Sequence, residues 1–295
     1  ATNSIAGNTT TVTSSGFDNS ASSGLSTATL AGNTTTGSAV TVYAGESGTI
    51  SETFGVGSAV NYDAVLSCTG NATALVGSTL TVDPADTSIT CTETNTRKGA
   101  TLTLVKTWAA NSIAGNTTTV TNSGFINNAS SGLSTATALG NTTTGTAITV
   151  YAGESGTISE TFGVGSAANY DAVLSCTGNA AALVGNTLTV DPADTAIICT
   201  ETNTRKTATL TLRKTWAANS IAGNTVTVTT SGFINNASSG LSTATTIGNT
   251  TTGSAVTVYA GESGTLSESF GIGSAANYSA ALSCTGNTNA LVGNA

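Results

Sequence analysis

The chain has 295 residues, only 7% of them charged, with 7 Lys and Arg against 15 Asp and Glu, a net charge of −8, and neither His nor Met. So few basic residues exclude a nucleic-acid surface, which must neutralise many phosphates, and the lack of His removes the commonest general base and metal ligand. At 38% hydrophobic the chain can build a core, yet no apolar run reaches the roughly 18 residues of a membrane-spanning helix. No cofactor motif is present.

A repeat sets the order of the elements. NSIAGNTTTVT begins at Asn3 and Asn111 and returns as NSIAGNTVTVT at Asn219; YAGESGT begins at Tyr43, Tyr151 and Tyr259. Every step is 108 residues, the size of a small independent domain rather than of a solenoid unit. The chain reads as three units: 1–98, lacking its first strand; 99–206, complete; and 207–295, lacking its last strands. This is the pattern of an excerpt from a longer array.

In the complete unit seven runs rich in Thr, Val and Ile, bounded by Gly, Asn, Ser or Asp, predict strands at 101–108, 117–121, 147–151, 157–162, 170–176, 187–190 and 196–203. The Gly- and Ser-rich stretch from Ser123 reads as a long loop with one buried aromatic, Phe125. No apolar face of helical period appears. About seven strands in about 100 residues predict an all-β fold, a tandem series of Greek-key, immunoglobulin-like sandwiches. The joins, such as 204–207, are short, so the array should be a fairly stiff rod.

Cysteines recur in pairs 23 residues apart, Cys68 with Cys91 and Cys176 with Cys199, and the partner of Cys284 would lie beyond residue 295. Strand parity puts Cys176 and Cys199 on apolar faces, so disulfides within units are expected; two reduced, buried cysteines are the alternative. Two thiols per unit without His fall short of a zinc site. Paired cysteines imply an oxidising, extracellular setting. The Asp-Pro-Ala-Asp stretches at Asp83 and Asp191 read as turns rather than calcium sites.

Side chains alternate along a strand, so residues of one parity share a face. Lys106 falls in line with Leu102, Leu104 and Trp108; Glu160 lies between Ile158 and Phe162; Asn203 follows Ile197 and Cys199. Three polar groups on apolar faces are costly unless they meet. If they meet, burial drives the lysine towards its neutral, nucleophilic form, and attack on the Asn carboxamide with Glu as proton shuttle would leave an amide cross-link. Glu201 shares the parity of Asn203 and is the alternative carboxylate. The plainer alternative places Lys106 at a strand end, its ammonium in solvent beside a carboxylate.

The order of these residues, Lys in LTLVKTW, Glu in GTISETF followed by the NY pair, and Asn in TETNTRK, resembles the prealbumin-like, collagen-adhesin B-type domains of bacterial pilins and surface adhesins. That resemblance implies a sandwich whose first and last strands adjoin, with an intramolecular Lys–Asn isopeptide bond assisted by the Glu. Carried over by position, Lys106, Glu160 and Asn203 form the one complete triad; Glu52 with Asn95, and Lys214 with Glu268, are partial. The family's Pro-x-Gly-Tyr after the Glu is replaced here by GVGSAANY. The functional expectation is a secreted or surface-displayed structural protein, not an enzyme, that self-assembles homomerically into filaments or bundles. The alternative is an adhesin binding a glycan, ice or a host surface through its repeated loops or Thr faces.

Overall fold

The computed structural model describes residues 1–293, and the secondary structure is almost wholly β. In residues 99–206 each of the seven predicted runs forms a strand: Gly99–Trp108, Thr117–Ser123, Ile148–Tyr151, Ser155–Val164, Tyr170–Thr177, Thr187–Thr189 and Ala196–Arg205. Two short strands, Ser134–Thr135 and Asn141–Thr144, add to them.

These strands make two sheets. In the first, Asn141–Thr144 and Ile148–Tyr151 pair end to end along one edge of Gly99–Trp108, whose other edge carries Ala196–Arg205 and then Tyr170–Thr177. The second runs Thr187–Thr189, Ser155–Val164, Thr117–Ser123, Ser134–Thr135. All pairings are antiparallel except one: the opening strand Gly99–Trp108 and the closing strand Ala196–Arg205 run parallel, with Lys106 beside Glu201 and Trp108 beside Asn203. First and last strands are therefore neighbours.

The core fills the space between the sheets. Leu102, Leu104, Val150, Ile197 and Cys199 from the first meet Val120, Ile158 and Leu188 from the second. Full burial of each such aliphatic side chain contributes about 1.5–3 kcal/mol. Phe125, from the loop after Thr117–Ser123, closes one end by lying over Gly156, where an added Cβ would collide with its ring.

Residues 1–98 and 207–293 repeat parts of this plan. Ser47–Val56 and Thr265–Ile272 each pair with the strand equivalent to Thr117–Ser123. Successive units meet at a joint that occurs twice in the same form. One residue, Lys98 or Lys206, separates a closing strand from the next opening strand. Arg97, buried, donates through Nε to Ala152 O (2.8 Å) and through Nη1 to Asn3 O (3.2 Å), with its guanidinium 5.8 Å from the Tyr151 ring centre. Arg205 makes the same contacts with Ala260, Asn111 and Tyr259 at 2.7, 3.1 and 5.7 Å. Asn3 and Asn111 hold a left-handed backbone (φ 60° and 65°), which short polar side chains tolerate, and donate through Nδ2 to the hydroxyls of Tyr151 and Tyr259. A cation–π contact joined to charge-assisted hydrogen bonds in a buried joint restricts rotation. Replacing Arg97 and Arg205 together with Ala should broaden the distance distribution between spin labels in consecutive units, measured by pulsed electron resonance. An unchanged distribution would mean that the backbone at Lys98 and Lys206 alone sets the angle.

Candidate functional site

The parallel pairing of opening and closing strands brings the predicted polar residues together inside the sandwich. Lys106 and Asn203 are both fully buried, so the reading that left the Lys106 ammonium in solvent is corrected, while its pairing with a carboxylate holds. Inward parity decides this: Lys106 follows Leu102 and Leu104 along one face, and the second sheet covers that face.

Glu160 Oε1 accepts from two directions. Lys106 Nζ lies 2.9 Å from it, and Asn203 Nδ2 donates to it at 2.9 Å. One carboxylate oxygen thus links the amine to the carboxamide nitrogen. Lys106 Nζ also donates to Glu201 O at 3.3 Å and sits 4.9 Å from the Trp108 ring centre. Asn203 Oδ1 is buried without a hydrogen-bond partner, and so is its counterpart Asn95 Oδ1 in the first unit. An orphaned buried acceptor is costly, and it leaves the carboxamide carbon flanked by an oxygen that nothing solvates.

Aromatic rings seal the site. Trp108 meets Tyr170 and Phe162 edge-on, at 5.2 and 5.9 Å between ring centres, and Trp108 Nε1 donates to Ser134 Oγ at 3.1 Å. The Tyr170 hydroxyl accepts from Ile113 N (2.9 Å) and Asn116 Nδ2 (3.0 Å), which anchors the ring from outside. Burial moves the ionisable groups in opposite senses. Desolvation pulls the Lys106 amine below its ordinary value, opposed by hydrogen bonding and attraction from Glu160. Desolvation pushes the Glu201 carboxyl up, reinforced by Glu160 and opposed by Lys106.

The partial triads reproduce the contacts open to them. In residues 1–98, Asn95 Nδ2 donates to Glu52 Oε1 at 2.6 Å. In residues 207–293, Lys214 pairs with Glu268 and lies 4.6 Å from the Trp216 ring centre. Parity located Lys106, Glu160 and Asn203, and the NY pair after the Glu marked Tyr170, but Ser134 and the two joint arginines were not singled out. Arg205 shares the parity of Asn203 and Cys199, so a cation in line with core residues was the available signal.

The cysteines pair within units, Cys68 with Cys91 and Cys176 with Cys199. Each pair is directly opposed on adjacent antiparallel strands, with Cα atoms 4.0 Å apart. Cys284 is free and exposed. Such bridges fit an oxidising environment. No cluster of metal-ligating side chains occurs among the described residues. In the Asp-Pro-Ala-Asp turns the carboxylates serve the backbone: Asp194 accepts from Ala180 N and Asp191 N, and Asp191 from Ala193 N. Among the described residues no helix is long and apolar enough to cross a membrane. The chain matches no family model, and no curated protein or solved structure is significantly similar to it.

Two outcomes follow from these environments. The raised Glu201 binds its proton more tightly in the folded chain than in the unfolded one. Its contribution to stability is therefore full at acid pH and is lost as pH rises through its folded value. Glu201→Gln should match the parent in urea midpoint at acid pH and exceed it increasingly towards neutrality; equal midpoints throughout would mean that Glu201 ionises without hindrance. For the bridges, non-reducing peptide mapping should recover Cys68–Cys91 and Cys176–Cys199. Replacing Cys176 and Cys199 with Ser should destabilise the middle unit by about 3 kcal/mol, whereas pairs between units or chains would overturn the assignment.

Proposed function

We propose that the chain is a structural extracellular protein, a series of tandem Greek-key sandwiches forming a stalk or filament on a bacterial surface. Each complete unit is tied by a disulfide and by an isopeptide bond between Lys106 and Asn203. The observation that carries this reading is the buried contact of one Glu160 oxygen with both the lysine amine and the asparagine amide. The repeated arginine joints support the rod, since identical rigid joints extend a single geometry from unit to unit. Low charge and many small residues favour close lateral packing into homomeric filaments or bundles.

The chemistry balances without a cofactor. Glu160 takes a proton from the Lys106 ammonium, a transfer that removes two opposite charges from a low-dielectric site. The free amine attacks Asn203 Cγ, forming the new C–N bond. The protonated Glu160 gives that proton to the departing Nδ2 and takes the second proton from the attacking nitrogen; the old C–N bond breaks, ammonia leaves, and Glu160 is left protonated beside a neutral amide. The chain acts once, on itself. Fixed proximity in a dry pocket supplies the rate that solution chemistry lacks.

Measurement of the intact mass after reduction tests the bond. The chain should weigh one ammonia less than its sequence, because only residues 99–206 hold all three groups. Lys106→Ala and Glu160→Gln should each restore the full mass. A parent chain of unmodified mass would leave the disulfides as the only covalent ties.

A further inference from the structure

The polar cluster of the middle unit has a fourth member, Glu201, which the Lys–Asn chemistry leaves unused. Along Ala196–Arg205 the buried residues alternate as Ile197, Cys199, Glu201, Asn203 and Arg205, so Glu201 and Asn203 are consecutive on the inward face. Two such residues stand about 6.7 Å apart at the usual rise per residue, a gap that two polar side chains can close. Glu201 lies beside Lys106 in the parallel register and beside Leu174 on its other flank. Its backbone oxygen already accepts from Lys106 Nζ at 3.3 Å.

The hydrogen-bonding capacities of these two neighbours are complementary. Among the described residues the Glu201 carboxyl has neither an ion-pair partner nor a donor, since Glu160 holds the one lysine of the site. A buried carboxylate without donors is costly, whereas a carboxyl that keeps its proton is itself a donor in need of an acceptor. Asn203 Oδ1 is the converse, a buried acceptor with no donor. The charged groups that act on Glu201 are Glu160 and Lys106, and desolvation together with Glu160 favours its neutral form against Lys106. Two carboxyls beside one lysine thus divide into an ionised partner and a neutral one, the division that assigns base and acid in paired-carboxyl sites. Thr118 Oγ1 is also buried and unpaired, but it stands on the facing sheet opposite Phe162.

We infer that the Glu201 carboxyl donates a hydrogen bond to Asn203 Oδ1 and polarises the carbonyl that Lys106 attacks. This role presupposes the Lys–Asn bond proposed above. As the amine adds to Asn203 Cγ, negative charge gathers on Oδ1, and a donor already in place stabilises it without rearrangement. Glu201 keeps its proton throughout. Glu160 moves both protons of the exchange, so the balance of the reaction is unchanged, and the product amide retains the same oxygen as acceptor.

The whole chain, made by cell-free translation and sampled over time, tests this. Intact mass after reduction follows the loss of one ammonia, and recovery of Cys176–Cys199 before reduction shows that the strand bearing Glu201 is in register. Glu201→Leu should slow the loss by about 100-fold or more, the cost of removing one oxyanion donor. Glu201→Gln, whose amide still donates, should restore most of the rate. As pH rises through the folded value of Glu201, the parent should slow relative to Glu201→Gln, which has no proton to lose there; a purely structural role would leave that ratio constant. Thr118→Val, a change the repeat itself carries at Val226, should be without effect. Equal rates for the parent and Glu201→Leu in bridged chains, a ratio to Glu201→Gln that is constant with pH, or slowing by Thr118→Val alone would overturn the role and leave the bond standing. Where Glu201→Leu fails to form the bridge, the pH ratio decides. A parent chain of unmodified mass would remove the bond and this role together.

Discussion

The parallel pairing of Gly99–Trp108 with Ala196–Arg205 is the constraint on which the rest of the molecule depends. Two strands of one sheet that run the same way put the unit's entry at one pole and its exit at the other, about 33 Å away at the usual rise per residue. An antiparallel pair would return the chain to its starting pole and fold the array back on itself. The same pairing sets Lys106 beside Glu201 and Trp108 beside Asn203, so the geometry that carries the chain from one pole to the other also assembles the buried polar cluster.

That cluster has an unusual energetic character. A buried ion pair gains little over an apolar pair of the same shape, because desolvation offsets attraction, yet loss of one partner strands a charge and is strongly destabilising. Lys106, Glu160 and Asn203 share one oxygen, and Asn203 keeps an unpaired carbonyl. Amide formation would remove both ionic charges and one of the two amide hydrogen-bond donors. The site is thus poorly satisfied as a set of separate side chains, which fits the single-use chemistry proposed for it.

Much of this was legible in the sequence, for physical reasons. The strands were visible because Thr-, Val- and Ile-rich runs alternate between glycine and asparagine breaks. Lys106, Glu160 and Asn203 were visible because each breaks the apolar parity of its strand, and the cysteines because they keep it. Ser134–Thr135 and Asn141–Thr144 were not visible: two and four polar residues give no alternation to read, and only the neighbouring strand edge makes them β. Nor was the joint. Arg97 takes its partners from residues 94 positions back and 55 ahead, a proximity that only the folded array creates.

The parallel arrangement also determines how the molecule bears tension. A pull along the array acts on the start of the opening strand and the end of the closing strand, which are neighbours running the same way. Their hydrogen bonds are then sheared together rather than opened one after another like a zip. With Lys106 joined to Asn203, the force passes from residues 99–106 across the bond to 203–205, and residues 107–202 become a closed loop outside its path. The Cys176–Cys199 bridge lies within that loop. It guards the fold against unravelling but carries none of the load, so the two covalent ties would answer different mechanical demands.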